Sequence, residues 1–174
     1  MLIILPPSET KRDGGDGPPL DLAALSFPEL TGARRQALAA LKALSRNLSA
    51  AAGMLRLGPS SATEAARNRV VTTSPTMPAI DRYDGVLYDE LDAASLSIDA
   101  RRFAAQHLAI GSALFGLCGA LDPIPGYRLS HDSRLPGTTL GKIWRAPLTA
   151  VLASREGLVL DMRSEGYAAL GPAP

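Results

Sequence analysis

The chain has 174 residues, of which 46% are hydrophobic and 20% are charged, so it can bury the core of one domain and wholesale disorder is excluded. Its single cysteine, Cys118, excludes an internal disulfide and any site built on a pair of cysteines. The apolar run Leu2–Leu5 is too short for a signal peptide or a membrane span, and we expect a cytoplasmic protein.

The formal net charge of +1 conceals an uneven distribution of charge along the chain. Residues 31–69 carry seven basic side chains and one acidic side chain, whereas residues 1–30 and 70–126 are net acidic. A basic block of this kind is a candidate surface for an anionic partner such as nucleic acid.

Elements of the N-terminal part alternate between strand and helix. Leu2–Leu5 predicts a short buried strand, and the Pro- and Gly-rich residues 6–20 predict a loop. Residues 33–57 predict one helix with Thr31 as its N-cap, and a second short helix follows Gly58-Pro59 and ends near Arg69. The leucines on the buried side of the first helix are Leu38, Leu41, Leu44, Leu48 and Leu55.

The C-terminal part continues the alternation. Its predicted elements are a helix that Ser97 or Asp99 caps and that ends at His107, a buried strand and turn over 108–117, a helix over 140–153, a strand over 157–162 and a helix barely begun at Ser164-Glu165. Pro147 either kinks the helix predicted over 140–153 or marks the true start of that helix. We therefore predict an α/β fold of mixed strands alternating with helices, in a single domain over residues 1–174.

The helix predicted over 33–57 carries a basic ridge opposite its leucines. Lys42 and Arg46 each fall within about 20° of Arg35 around the helix axis. The turn at Gly58 has the outline of a helix-hairpin-helix element, in which backbone N–H groups contact a phosphate. The residues predicted to contact nucleic acid are Arg35, Lys42, Arg46, Arg56, Gly58, Arg67 and Arg69. A solvated helix face and an ordinary turn between helices are the alternative interpretations.

A second candidate site lies in the loops at the strand ends, where α/β proteins usually bind ligands. The loop after the first strand lacks the GxxxxGK[ST] pattern, so it is not a phosphate-binding P-loop. The residues predicted to form a polar pocket for a small molecule are Ser8, Glu9, Lys11, Arg128, Ser164 and Tyr167. An ordinary polar turn is the alternative for the first three of them.

Residues that often carry catalysis or bind metals do not form a recognisable set. His107 and His131 are the only histidines, and His131-Asp132-Ser133 is not accompanied by the GxSxG elbow of a hydrolase. Cys118 lies in an apolar run, where a buried thiol keeps a high pKa and is inert. We predict no catalytic residue, no metal site and no cofactor.

Several segments, taken in order, resemble the YaaA-type peroxide-stress proteins, a bacterial family. The segments that carry the resemblance are PPSETK (6–11), RYDGVLYDELDAASLS (82–97), RRFAAQHLAIGSALFGLCGALDPIPGYRL (101–129), KIW (142–144) and LDMRSEGY (160–167). Together they span nearly the whole chain, and their order makes the resemblance specific.

The resemblance implies a cytoplasmic protein that lowers free intracellular iron during peroxide stress. It also implies binding of double-stranded DNA through a basic cleft with a helix-hairpin-helix-like element, here at residues 31–69, and no established enzymatic activity. Family members continue beyond the Ser-x-x-Tyr motif at Ser164–Tyr167, so we expect this chain to lack a C-terminal part and to leave a strand edge open.

Two other functions remain open. The chain is a small-molecule binder or an enzyme of unknown reaction if the predicted polar pocket forms. It is a shortened domain without an activity of its own if neither site forms.

Overall fold

A computed structural model describes residues 1–57 and 59–173, apart from the side chains of residues 48, 49 and 59–63. Its strands are β1 (Leu2–Leu5), β2 (Met77–Pro78), β3 (Leu108–Ser112), β4 (Gly116–Gly119), β5 (Pro123–Ile124) and β6 (Val159–Asp161). Its α-helices are α1 (Thr31–Ser45), α2 (Leu48–Met54), α3 (Ala79–Arg82), α4 (Val86–Leu91), α5 (Ile98–His107), α6 (Leu140–Ala153) and α7 (Glu165–Ala168). Four 3-10 helices complete the elements, at Leu22–Ala24, Pro28–Leu30, Pro59–Arg69 and Ala93–Ser95. In the described part of the chain, no helix combines the length and apolarity needed to cross a membrane.

The main sheet has four strands in the order β4-β3-β1-β6, so the predicted α/β class is confirmed. Strand β1 pairs in parallel with both β3 and β6, and β4 pairs with β3 antiparallel. Because parallel strands end at the same edge of a sheet, the loops that follow β1 and β6 emerge together. A separate two-stranded antiparallel ladder joins β2 to β5.

The core lies around the central strands. Ile4 of β1 and Ile110 of β3 are fully buried, as is Trp144 of α6. Helix α5 packs on β1 and β3, α6 packs on β4, and α1 packs on α6. Parallel strands that are covered on both faces are usually continuous apolar segments. This explains why Leu2–Leu5 contains no polar residue.

The prediction of one helix over 33–57 is wrong, because the helix is interrupted after α1. Asn47 adopts an extended backbone, and its side-chain oxygen accepts a hydrogen bond from the N–H of Ala50 at 3.1 Å. Asparagine is a strong N-cap residue, so it starts α2 as a separate helix. Leu41, Leu44 and Leu55 are buried as predicted, and the side chain of Leu48 lies outside the described residues.

Two further helix boundaries differ from expectation. Thr31 is the first residue of α1, and Leu30 occupies the N-cap position without a side-chain hydrogen bond. Pro147 lies inside α6, whose N-cap is Thr139, so this proline does not mark the start of the helix. The helix predicted at Ser164-Glu165 is present as α7, with Ser164 at its N-cap position.

A fully buried arginine of α1 closes the β4 edge of the main sheet. The Arg34 Nε donates a hydrogen bond to the carbonyl of Phe115 at 3.0 Å. Its Nη2 donates to the carbonyls of Leu117 at 2.7 Å and Ser26 at 2.6 Å. Since carbonyls of an edge strand have no strand partner on their outer side, the guanidinium takes the place of a further strand.

Candidate functional site

Three of the residues predicted to contact nucleic acid line one cleft. Lys42, Arg46 and Arg69, together with Ser45, surround a cavity of about 340 Å³ at the C-terminal end of α1. We call these four residues the basic cleft. All three cationic residues are exposed, so their charged ends are accessible to a ligand.

The basic cleft forms because Arg69 binds the end of α1. Its Nε donates to the carbonyl of Ser45 at 2.9 Å, and its Nη2 donates to the carbonyl of Arg46 at 3.3 Å. Carbonyls in the last turn of a helix lack intrahelical partners, and the helix dipole favours a cation there. Lys42 adds a hydrogen bond from Nζ to the hydroxyl of Thr72 at 3.3 Å. These contacts hold the 3-10 helix Pro59–Arg69 and the residues after it against α1.

The other residues predicted to contact nucleic acid lie in different settings. Arg35 is exposed on α1, seven residues before Lys42 and therefore on the same side of the helix. Arg56 forms an ion pair with Asp132 at 3.1 Å, and Arg67 forms one with Asp13 at 2.8 Å. Gly58 lies outside the described residues, so the helix-hairpin-helix element stays a prediction.

A second set of polar side chains surrounds Lys11, after the end of β1. The Lys11 Nζ donates to the carbonyls of Ser8 at 2.9 Å and Glu9 at 3.1 Å. It also lies 4.3 Å from the ring centroid of Tyr127 and 5.3 Å from that of Tyr83. The side chain is almost completely buried, which is rare for a lysine.

Arg128 lies near this lysine and forms ion pairs of its own. Its guanidinium forms ion pairs with Glu9 and, at 3.4 Å, with Glu64. The side-chain amide of Asn68 fixes the Arg128 backbone, accepting from its N–H and donating to its carbonyl, both at 2.8 Å. We call Glu9, Lys11, Tyr83, Tyr127 and Arg128 the strand-end cluster.

The structure brings together most of the predicted polar pocket. Ser8, Glu9, Lys11 and Arg128 are connected by the contacts above. Tyr167 lies close enough for the charge of Glu9, added to the effect of burial, to raise the pKa of its hydroxyl. Ser164 reaches the group only through the backbone, where its carbonyl accepts from the N–H of Tyr167 at 3.0 Å.

Sequence reasoning missed the aromatic part of the strand-end cluster. The hydroxyls of Tyr83 and Tyr127 are 2.8 Å apart, and that of Tyr127 is 2.8 Å from the hydroxyl of Ser112. Tyr127 could have been added to the predicted pocket because it precedes Arg128 in the sequence. Nothing local in the sequence indicates that Tyr83 lies near either residue.

Cys118 is fully buried, as its apolar run predicted, and burial raises the pKa of its thiol. The His107 Nδ1 lies 3.0 Å from the carbonyl of Met1, and its ring contacts that of Phe103. Within residues 1–57 and 59–173, no group of three or more His, Cys, Asp or Glu side chains could hold a metal ion.

The electrostatics of Lys11 generate a testable pH dependence. Burial, together with the positive charge of Arg128, lowers the pKa of Lys11 to about 7. Above that pH the unfolded chain still binds the proton that the folded chain has released, so raising the pH favours the folded state. Between about pH 6.5 and 8.5, the Lys11 contribution to the free energy of unfolding should increase by about 2 kcal/mol.

Urea unfolding of the parent and the Lys11→Met variant over this pH range measures that contribution. The difference in unfolding free energy between the two proteins should grow in favour of the parent as the pH rises. The Lys142→Met variant, altered at an exposed lysine, is the matched control and should run parallel to the parent. A difference that stays constant with pH would contradict the lowered pKa.

Comparison with known proteins identifies the family. A family model described as peroxide stress protein YaaA matches residues 1–173. A UPF0246 protein of Corynebacterium glutamicum is 50% identical over 177 residues, covering 98% of this chain and 69% of its own length. A UPF0246 protein of Corynebacterium efficiens is 47% identical over all of this chain and 71% of its own. One from Streptomyces coelicolor is 45% identical over 97% of this chain and 66% of its own. The chain therefore belongs to the YaaA family of peroxide stress proteins.

Proposed function

We propose that this protein acts in the response to peroxide stress by binding double-stranded DNA through the basic cleft. Membership of the peroxide stress family supports the cellular role. The convergence of Lys42, Arg46 and Arg69 on one cavity is the observation that carries the DNA-binding proposal. Phosphate neutralisation by Lys and Arg provides most of the affinity in binding of this kind.

The spacing of cations along α1 suits an extended polyanion. Arg35 and Lys42 of α1 and Arg46 at its C-cap follow one side of the helix, and the eleven steps from Arg35 to Arg46 cover about 16 Å at 1.5 Å per residue. Phosphates of one DNA strand recur about every 3.4 Å along the duplex axis, so the row matches the length of about five base pairs. Arg69, which lines the same cleft as Lys42 and Arg46, adds a fourth charge.

The charges of these residues are available to a ligand. Among the residues that the structure describes, Arg35, Lys42, Arg46 and Arg69 form no ion pair with a carboxylate. Arg56 and Arg67, by contrast, are already paired with aspartates. The proposal therefore assigns phosphate contacts to the first four residues and leaves Arg56 and Arg67 in structural roles.

The salt dependence of duplex binding tests this assignment. The triple variant Arg35→Ala, Lys42→Ala, Arg46→Ala should bind all duplex sequences more weakly. It should also lower the slope of log affinity against log salt by about 2.7, because each lost phosphate contact removes about 0.9. Fluorescence anisotropy of a labelled duplex between about 50 and 200 mM salt measures the slope. Arg69 stays intact in this variant because its hydrogen bonds support the end of α1.

A charge-matched control distinguishes specific contacts from loss of net charge. The variant Arg102→Ala, Lys142→Ala, Arg145→Ala removes three exposed positive charges from α5 and α6. It should leave the slope close to that of the parent. Equal slopes for the parent and both variants, with unchanged thermal melts, would contradict the proposed interface.

We also propose that the protein lowers free intracellular iron under peroxide stress, as the resemblance to the family implies. Electron paramagnetic resonance of chelated iron in cells treated with hydrogen peroxide measures this effect. Cells that lack the protein should contain more chelatable iron than cells that express it. Equal iron levels in the two strains would contradict this part of the proposal, and leave the DNA-binding part to its own test.

The strand-end cluster supports a second candidate function, in which Lys11 reacts with a small carbonyl compound that carries a carboxylate. The carboxylate of the compound would displace Glu9 or Glu64 from Arg128, and the neutral amine of Lys11 would attack the carbonyl carbon and release water to form an imine. The specific observation in favour is a buried amine near Arg128, in the loop that follows the carboxyl end of a parallel strand.

Reductive trapping tests this second function. Glyoxylate and cyanoborohydride at neutral pH should modify Lys11 faster than Lys42 and Lys142, the two other lysines, both of which are exposed. The lowered pKa of Lys11 leaves part of its amine unprotonated and nucleophilic at this pH. Peptide mapping by mass spectrometry locates the product. Modification of Lys42 and Lys142 without Lys11 would show that ligands do not reach the cluster and would contradict the second function.

A further inference from the structure

A second cavity with cationic walls, of about 210 Å³, is lined by residues of the loop after β1 and of the 3-10 helix Pro59–Arg69. It shares no lining residue with the basic cleft, and the proposed duplex interface does not use either of its arginines. An inference about this cavity therefore goes beyond the proposed function. We use the name arginine pocket for five of its lining residues, which are Asp13, Gly14, Arg67, Arg82 and Gly126.

Arg82 gives the pocket a fixed and buried donor. The residue is only 1% exposed. Its Nε donates to the carbonyl of Ile124 at 3.2 Å, its Nη1 to that of Arg12, and its Nη2 to those of Gly14 at 2.9 Å and Pro75 at 3.1 Å. A guanidinium carries five N–H groups, so these four bonds leave the second N–H of Nη1 without an acceptor among the described residues. An acceptor that enters the pocket stabilises a buried donor of this kind.

Gly126 leaves space beside this donor. A Cβ placed on Gly126 would lie 3.9 Å from the Arg82 Nη1, which is an ordinary contact distance. A side chain at position 126 would therefore begin without a clash and then fill the space next to Nη1. This gives a way to block the pocket without changing a charge.

Asp13 is the anion that the pocket already contains. Its carboxylate lies 2.8 Å from the Arg67 Nη2, although its side chain is 84% exposed. Burial lowers the pKa of Arg82 most, the charge of Asp13 raises it, and the charge of Arg67 lowers it, so the three charged groups lie near one another. Two neighbouring guanidiniums repel each other, and an anion beside both relieves the repulsion. Because an exposed ion pair contributes little stability, a ligand with more negative charge can displace Asp13.

We propose that the arginine pocket binds a phosphate group, which replaces the Asp13 carboxylate beside Arg67 and accepts from the remaining N–H of Arg82. Once Asp13 is displaced, the two arginines match the charge of about −1.5 to −2 that a phosphate monoester carries at pH 7. A carboxylate carries a single charge and would only repeat the contact of Asp13. Arginine is also the residue best suited to phosphate, because its planar fork donates two parallel hydrogen bonds.

The size of the pocket limits the ligand. Its volume is below the roughly 300 Å³ at which pockets for whole drug-sized molecules begin. The phosphate therefore belongs either to a small phosphorylated compound or to a larger molecule, such as a nucleic acid, of which only one phosphate enters.

Thermal melts in inorganic phosphate, compared with sodium chloride at equal ionic strength, test the site. A ligand that binds the folded state raises the melting temperature as its concentration rises. Phosphate should stabilise the parent, and Asp13→Asn should reach the same shift at about two- to fivefold lower phosphate, because the competing ion pair is gone. Asp16→Asn removes the same charge from an exposed residue of the same loop outside the pocket, and it should respond like the parent.

The Gly126→Val variant tests the position of the phosphate. It should melt close to the parent in chloride and lose the phosphate response, because its side chain fills the space beside the Arg82 Nη1. Saturating duplex DNA distinguishes the two sources of phosphate. A pocket for a small compound keeps its phosphate response in the presence of duplex, whereas a pocket for a nucleic-acid phosphate loses it.

Three results would overturn the proposal. The first is a parent that responds equally to phosphate and to chloride. The second is an equal phosphate response of Asp13→Asn and Asp16→Asn. The third is a Gly126→Val variant that keeps the response, which would place the phosphate elsewhere, for example in the basic cleft.

Discussion

Both candidate sites are anchored by the last three side chains of the 3-10 helix Pro59–Arg69, which are Arg67, Asn68 and Arg69. Arg67 donates to the carbonyl of Lys11 at 3.1 Å, and Asn68 holds the backbone of Arg128 from both sides. Arg69 binds the carbonyls that end α1. Charged donors to backbone carbonyls are among the stronger hydrogen bonds in proteins. One short segment thus sets the position of the basic cleft and of the strand-end cluster, so a change that displaces it should affect both.

The central position of β1 explains why the strand-end cluster lies where it does. Pairing with β3 on one side and β6 on the other buries a four-residue strand and leaves little freedom in the loop that follows. Lys11 enters the interior at this point, where carbonyls of its own loop and the rings of Tyr83 and Tyr127 replace the water it loses. A lysine placed in this way keeps its amine partly neutral near pH 7, which separates it chemically from the exposed cations of the basic cleft.

Local sequence signals predicted the elements well, and long-range contacts account for what they missed. The apolar run of β1 and Ser97, one of the two N-caps predicted for α5, are local signals, and the structure confirms both. The interruption at Asn47 was missed because the leucine periodicity continues across it. Arg34 was missed because an arginine next to the exposed Arg35 gives no sign that the carbonyls of Phe115 and Leu117 will bind it inside the core. The convergence of Arg69 with Lys42 and Arg46 likewise depends on contacts between distant parts of the chain.

We propose that the basic cleft, rather than another basic surface, binds duplex DNA. Titration of the ¹⁵N-labelled protein with a short duplex, followed by amide chemical shifts, distinguishes the two. The largest shift changes should fall at the end of α1 and around Arg69 and Thr72, with small changes near Lys142 and Arg145 of α6. Changes that avoid the end of α1 and Arg69, or a spectrum that the duplex leaves unchanged at low salt, would contradict it.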